Sequence, residues 1–225
     1  MEPMEPMEHE PLSLVIFTQE LTYSCTINSK GPRKFGTLSQ LINIKEKNRS
    51  TVGNTTNDER HLLLDIRNSY NYTSIIKFNI DETIIIDNLK KITPYEKHNN
   101  LIWTELNKYT IIEYLQGGFF TKHIDKKINK RHYGTLLIFP PAINDFEHTG
   151  GELIITINKD NIFKFESSKN KDWTFIAFNI NLEHECKEVI SGKRIIIKHS
   201  LMYDNDFYDE DKNNIIPIDK VQICD

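Results

Sequence analysis

The sequence predicts a mainly β protein: an all-β sandwich or barrel preceded by a smaller α/β extension. Three observations lead there. Beyond Trp103, short runs rich in Ile, Phe, Tyr, Thr and Leu recur near 108–115, 119–124, 133–139, 152–157, 161–166, 173–180, 182–190 and 193–202. Turn-forming residues separate them: Gly117-Gly118, Pro140-Pro141, Gly150-Gly151, Asn158–Asn161 and Ser191-Gly192. The spacing leaves room for strands and tight connections but not for interleaved helices, and seven or eight short strands in such an array close into a sandwich or barrel.

The elements follow in order. Residues 1–10 (MEPMEPMEHE) are repetitive, acidic and Pro-containing and are expected to be a disordered tail; they lack the basic and apolar regions of a signal peptide. Residues 11–103 read as an α/β region that packs on the core and shapes substrate access. Within it, Leu12–Phe17 is a strand candidate, and the polar stretch Asn48–Arg60 is expected to be a mobile loop. His61–Ile66 is apolar enough for a helix or a strand, and periodicity does not choose between them. Asp81 is a plausible N-cap for a helix that ends at Lys90-Lys91, where basic side chains suit the C-terminal dipole. Residues 104–203 form the β core, in which Trp173 and Phe175 read as strand interior. Residues 204–225 read as an acidic, polar tail.

Bulk properties exclude several classes. With 28 Lys+Arg against 32 Asp+Glu the net charge is −4, which argues against nucleic acid as a partner, since phosphate affinity needs concentrated basic charge. Lys122, Lys126, Lys127, Lys130 and Arg131 cluster and read as a solvated loop. Cys25, Cys186 and Cys224 are odd in number and widely separated, so neither a disulfide framework nor a zinc knuckle is expected. No apolar run approaches the ~20 residues of a membrane span. Together these describe a reduced, cytoplasmic protein without a membrane partner.

The chemistry concentrates in four residues. His123 and Asp125 are i and i+2 in an extended segment, so both side chains project to one side and can reach one metal. His184, on a later strand, completes a two-histidine, one-carboxylate set, the facial triad that leaves metal positions open for co-substrate and oxygen. Each piece alone is common, and a lone histidine on a strand is more often structural. Arg194 follows His184 by ten residues, and a tight turn at Ser191-Gly192 is expected to fold it back to the level of His184. A guanidinium inside an apolar barrel needs an acidic partner; without one from the protein, a dicarboxylate ligand is the natural candidate. Cys186 and Phe119-Phe120 share these strands and read first as core filling.

These residues carry a resemblance. Tyr114–Asp125 (YLQGGFFTKHID) resembles the Y-x-x-G-x-F-F-x-x-H-x-D signature of prolyl 4-hydroxylase-like oxygenases. Thr135-Leu136, then Gly150-Gly151-Glu152-Leu153, resemble their T-L and G-G-E-L segments; His184-Glu185, Val189, Ser191-Gly192 and Arg194 resemble H-E-x-x-x-V-x-S-G-x-R. Order and spacing agree across 108–203. The resemblance implies a double-stranded β-helix (jelly-roll) core and a dioxygenase using Fe(2+), 2-oxoglutarate and O2, with L-ascorbate as a further cofactor. It implies His123, Asp125 and His184 as metal ligands, Arg194 on the distal carboxylate of 2-oxoglutarate, and Tyr114, Thr135 and Leu153 lining the pocket. Hydroxylation of a protein or peptide side chain, releasing succinate and CO2, is the activity it implies. Phe139-Pro140 departs from the usual Tyr-Leu, and the first hundred residues differ from collagen prolyl hydroxylases; the match is closer to a fungal and microbial branch, so prolyl specificity does not carry over. Ser200 stands where nucleic-acid demethylases carry a second Arg. A small-molecule or nucleic-acid oxygenase and a non-catalytic jelly-roll binding module are the alternatives.

Overall fold

The computed structural model describes residues 11–19, 22–27, 34–36, 48–53, 60–79, 82–101, 108–204 and 221–223. The expected tail at 1–10, the Asp81 cap, the centre of the expected loop at 54–59 and most of 204–225 lie outside the described residues. The first half of the chain supplies β1 (Leu14–Thr18), β2 (Thr22–Ile27), β3 (Lys34–Gly36), β4 (Asn48–Arg49), β5 (Val52–Gly53), β6 (Arg60–His61), β7 (Arg67–Asn68), β8 (Tyr70–Asn79) and helix α1 (Glu82–Lys91). Two expectations change here. The ends of the Asn48–Arg60 stretch pair as strands, β4 with β8 and β5 with β6. His61–Ile66 is neither helix nor strand along most of its length: Leu62, Leu63 and Leu64 are exposed, so no buried face enforces a period.

The apolar runs beyond Trp103 become β9 (Lys108–Leu115), β10 (Phe119–His123), β11 (His132–Phe139), β12 (His148–Gly150), β13 (Leu153–Thr156), β14 (Ile162–Phe165), β15 (Thr174–Asn179), β16 (Glu183–Cys186) and β17 (Val189–Met202). They divide between two antiparallel sheets. The larger runs β15-β11-β17-β9 and the smaller β14-β13-β16-β10. The chain passes back and forth between them, which makes the core a double-stranded β-helix. Beyond β9 the larger sheet continues into β8, β2 and β3; beyond β15 it continues into β1 and the parallel β18 (Val221–Ile223); β7 extends the smaller sheet beside β10.

Burial explains the sequence patterns. Every residue of β11 and β15 is buried, because the larger sheet is covered on both faces. Leu137, Phe139, Ile176, Phe178 and Ile196 face the smaller sheet, while Leu136, Ile138, Ala177 and Ile197 face α1. A strand buried on both faces reads as a continuous apolar run rather than an alternating one. Helix α1 docks through Ile85 and Leu89, one turn apart and both fully buried, with Ile84 left outside. Burying each such side chain stabilises the fold by roughly 1.5–3 kcal/mol. No helix among the described residues is long and apolar enough to cross a membrane.

The expected turn at Ser191-Gly192 is not a turn. Both residues lie inside β17, paired with His148 and Thr149 of β12. The chain instead crosses between the sheets at Lys187-Glu188, just after β16. Gly192 has φ +75°, and a Cβ there would collide with the Glu147 carbonyl oxygen. The glycine therefore marks a close approach of two strands.

Candidate metal centre and anion pocket

β10 and β16 are neighbours in the smaller sheet, with His123 directly opposite His184 after an irregularity in register that begins at Phe120. Asp125 lies two residues past His123, just beyond the end of β10. One ligand atom from each of the three side chains falls within 4.8 Å of the others. His123 Nε2 is 3.9 Å from Asp125 Oδ1, and His184 Nε2 is 3.8 Å from Asp125 Oδ2. Both imidazoles are braced alike: Nδ1 of His123 meets the Thr121 carbonyl at 2.8 Å, and Nδ1 of His184 meets that of Leu182 at 3.0 Å. A carbonyl only accepts, so Nδ1 carries the proton and the Nε2 lone pairs face the shared centre, as a metal requires.

The electrostatics keep the donors in ligand form. Burial, reinforced by the neighbouring His184, pushes the His123 pKa down to about 3. Burial also lowers that of His184. For Asp125 burial acts upward, but the Lys198 ammonium overcomes it, and His184 and the hydrogen bonds add to the effect, holding the carboxyl well below the usual range. Lys198 Nζ donates to Asp125 Oδ2 at 2.6 Å and Thr135 Oγ1 donates to the same oxygen at 2.7 Å. Two neutral imidazoles and one carboxylate fit a divalent first-row ion.

Between the sheets lies Arg194, the largest fully buried side chain among the described residues. Tyr114, its direct partner across β9 and β17, and Phe139 present their rings to the guanidinium at 5.5 and 5.3 Å. Nε donates to Ser167 Oγ and Nη1 to Cys186 Sγ, each at 3.0 Å. Nη2 has no partner. Among the described residues no carboxylate pairs with this cation. A buried charge with an unused donor costs several kcal/mol unless a ligand supplies the anion. The site is also cut to the arginine's shape: Gly151 has φ +72°, and a Cβ on it would lie 2.7 Å from Arg194 Cδ.

All seven residues singled out in the sequence fall in this region. Tyr114 packs under Arg194, and burial raises its pKa to about 12, so it stays a neutral phenol. Thr135 orients Asp125. Leu153 pairs with Cys186 across β13 and β16 and packs in the core between the sheets. Cys186 does more than fill space, since it accepts from Arg194; burial keeps its thiol protonated. Phe120 stacks on His123 with centroids 3.5 Å apart. Sequence reasoning missed Lys198, Ser167 and Arg67. Lys198 had a signal: it interrupts an isoleucine run and, four residues after Arg194, shares its side of the strand. Ser167 and Arg67 come from separate segments and had none.

Fold and site together define a double-stranded β-helix protein with a metal-capable His-Asp-His cluster and a buried arginine that meets no carboxylate among the described residues. No protein-family model matches the chain, and no curated protein matches it in sequence. Similar solved structures include a 2OG-Fe(II) oxygenase family oxidoreductase from Burkholderia pseudomallei, at 14% identity and TM-score 0.43 over 73% of this chain and 76% of that one. A prolyl hydroxylase from Trichoplax adhaerens, solved with a hypoxia inducible factor peptide, gives 16% and 0.44 over 68% and 70%. A viral collagen prolyl hydroxylase from Paramecium Bursaria Chlorella virus-1, solved with 2OG, gives 20% and 0.36 over 62% and 81%. The strand order itself makes the core a double-stranded β-helix.

Proposed function

We propose that this protein is an iron(II)- and 2-oxoglutarate-dependent dioxygenase in which His123, Asp125 and His184 hold the iron and Arg194 holds the distal carboxylate of 2-oxoglutarate. The observation that carries the reading is Arg194, a fully buried guanidinium with Nη2 unpartnered and no protein anion among the described residues, in the same barrel as a three-donor cluster. A planar carboxylate completes its fork of donors. With iron, 2-oxoglutarate and O2 bound, the centre supplies oxidation of a C–H bond coupled to conversion of 2-oxoglutarate to succinate and CO2.

The chain's own contribution is placement. The Thr121 and Leu182 carbonyls hold the two imidazoles in the ligating tautomer. Thr135 and Lys198 engage Oδ2 of Asp125, so that Oδ1 is the oxygen turned toward His123. Ser167 and Cys186 hold two edges of the guanidinium and leave the third for the ligand. Tyr114 and Phe139 exclude water from that end. The motif resemblance supports a protein or peptide side chain as the hydroxylated substrate, L-ascorbate as the reductant that keeps iron ferrous, and a place in the fungal and microbial branch.

Anaerobic titration of the purified protein with Fe(II) and 2-oxoglutarate tests the reading. A weak visible charge-transfer band that appears in the wild type and is absent from His123→Ala is the expected result. Iron binding at one site with no spectral response to 2-oxoglutarate would instead make the protein a metal-binding jelly-roll module.

A further inference from the structure

Among the described residues of the N-terminal region, Arg67 comes up beside the site. β7 pairs with the edge of β10, placing Arg67 directly opposite Phe120. Phe120 is in turn opposite Cys186, and Cys186 opposite Leu153. These four side chains form one row across the smaller sheet, and directly opposed residues share a face. The row adjoins the one that contains His123 and His184. The Arg67 guanidinium lies 4.4 Å over the Phe120 ring, which also stacks on the His123 imidazole. Its charge is felt by both Tyr114 and Cys186, the residues that also contact Arg194.

Arg67 is held firmly at its base and open at its tip. Nε donates to Ser69 Oγ at 2.9 Å, and Ser69 Oγ donates to Ser50 Oγ at 2.9 Å, both serines being buried. The Ile66 carbonyl accepts from the Thr121 amide at 2.9 Å, and Asn68 Nδ2 donates to the Gly117 carbonyl at 2.8 Å, so the segment is tied down on both sides of Arg67. Among the described residues no acceptor meets its terminal nitrogens and no carboxylate pairs with it. Within the site itself Asp125 is matched by Lys198 and, under the reading above, Arg194 by 2-oxoglutarate. A strut would need only the ring contact and Nε; a half-buried fork with two free ends suits a planar anion.

We propose that Arg67 is a specificity-determining residue that binds a carboxylate of the primary substrate beside the metal centre, so that the enzyme takes acidic substrates. The proposal rests on the dioxygenase reading and names its substrate class. The test loads the full-length protein with Zn(II), as a redox-inert ion, and 2-oxoglutarate, then titrates in acetate while the arginine Nε–H signals are followed by NMR. Saturable movement of the Arg67 signal and the Phe120 amide is expected. In Arg67→Gln the affinity read from the Phe120 amide should fall roughly tenfold or more, while Arg67→Lys, which keeps the charge, should retain part of it. Amide dispersion reports whether each variant is folded. Competition by a capped glutamyl tripeptide at lower concentration than acetate assigns the carboxylate to a polypeptide, and equal competition assigns it to a small acid.

A non-saturable response to acetate, or equal affinity in Arg67→Gln, would reduce Arg67 to a structural strut and overturn the proposal. So would a tenfold loss of 2-oxoglutarate affinity in Arg67→Gln, which would make Arg67 a co-substrate ligand. Failure of the wild type to bind 2-oxoglutarate at all is a separate result; it removes the dioxygenase reading, whatever acetate does.

Discussion

The two ends of the site are built on opposite plans. At the metal end every donor is already braced by the protein: both imidazoles through Nδ1, and Asp125 through Lys198 and Thr135. At the arginine end the protein leaves Nη2 unmatched in a fully buried position. The first end is preorganised without its ligand. The second holds an uncompensated cation, which under the dioxygenase reading recovers its lost hydration only when 2-oxoglutarate pairs with it. One end thus spends fold stability on affinity, whereas the other is assembled by hydrogen bonds the fold makes anyway.

That contrast breaks most sharply under two substitutions. His184→Ala should abolish measurable divalent-metal binding in calorimetry and with it succinate release, while the melting temperature of the metal-free protein changes little beyond the loss of one buried ring. Arg194→Met should do the reverse. Metal affinity should persist, 2-oxoglutarate affinity should fall by about 2–5 kcal/mol, and the ligand-free protein should melt at a higher temperature, since an apolar chain replaces an uncompensated charge. If Arg194→Met instead lowers that melting temperature, the arginine end is as self-sufficient as the metal end.

A pH series sharpens the same comparison with a histidine outside the site. Burial, with His132 nearby, lowers the His199 pKa to about 4. The unfolded chain titrates near ~6.5, so between these values it binds a proton that the native state refuses. Stability is therefore fully present above pH ~6.5 and falls as pH drops toward 4, by up to about 3 kcal/mol for this residue. Chemical denaturation of the wild type and of His199→Gln at several pH values should show a shallower slope in the variant. The mildest change is Gly151→Ala. It places a methyl against Arg194 Cδ at a φ that alanine tolerates poorly. It should cost about 1–3 kcal/mol of stability and weaken 2-oxoglutarate binding while leaving metal affinity unchanged, as two titrations would show.

Much of this was legible in the sequence, for physical reasons. The strand runs were visible because β11 and β15 are buried on both faces and admit almost only apolar side chains. His123, Asp125, His184 and Arg194 were visible because local spacing and motif order carry them. Helix α1 was visible through the cap signal at Asp81 and the basic pair Lys90-Lys91 at its end. The turn assigned to Ser191-Gly192 failed because a positive-φ glycine signals a close approach as readily as it signals a turn. Only the described ends of Asn48–Arg60 differ from the expected loop: β4 pairs with β8 and β5 with β6, and strands of two residues are too short to leave a period in the sequence.

The sequence by itself determined the strand content, the order of the runs and the residues capable of holding a metal and an acid. Only the tertiary structure decided which sheet each strand joins, that Lys198 rather than solvent sits on Asp125, that Ser167 and Cys186 grip Arg194, and that Arg67 reaches the site from the N-terminal region. Periodicity and motif spacing are properties of neighbours along the chain. Charge pairing, and the absence of it at Arg194, depend on which remote segments the closed sheets bring within a few ångströms.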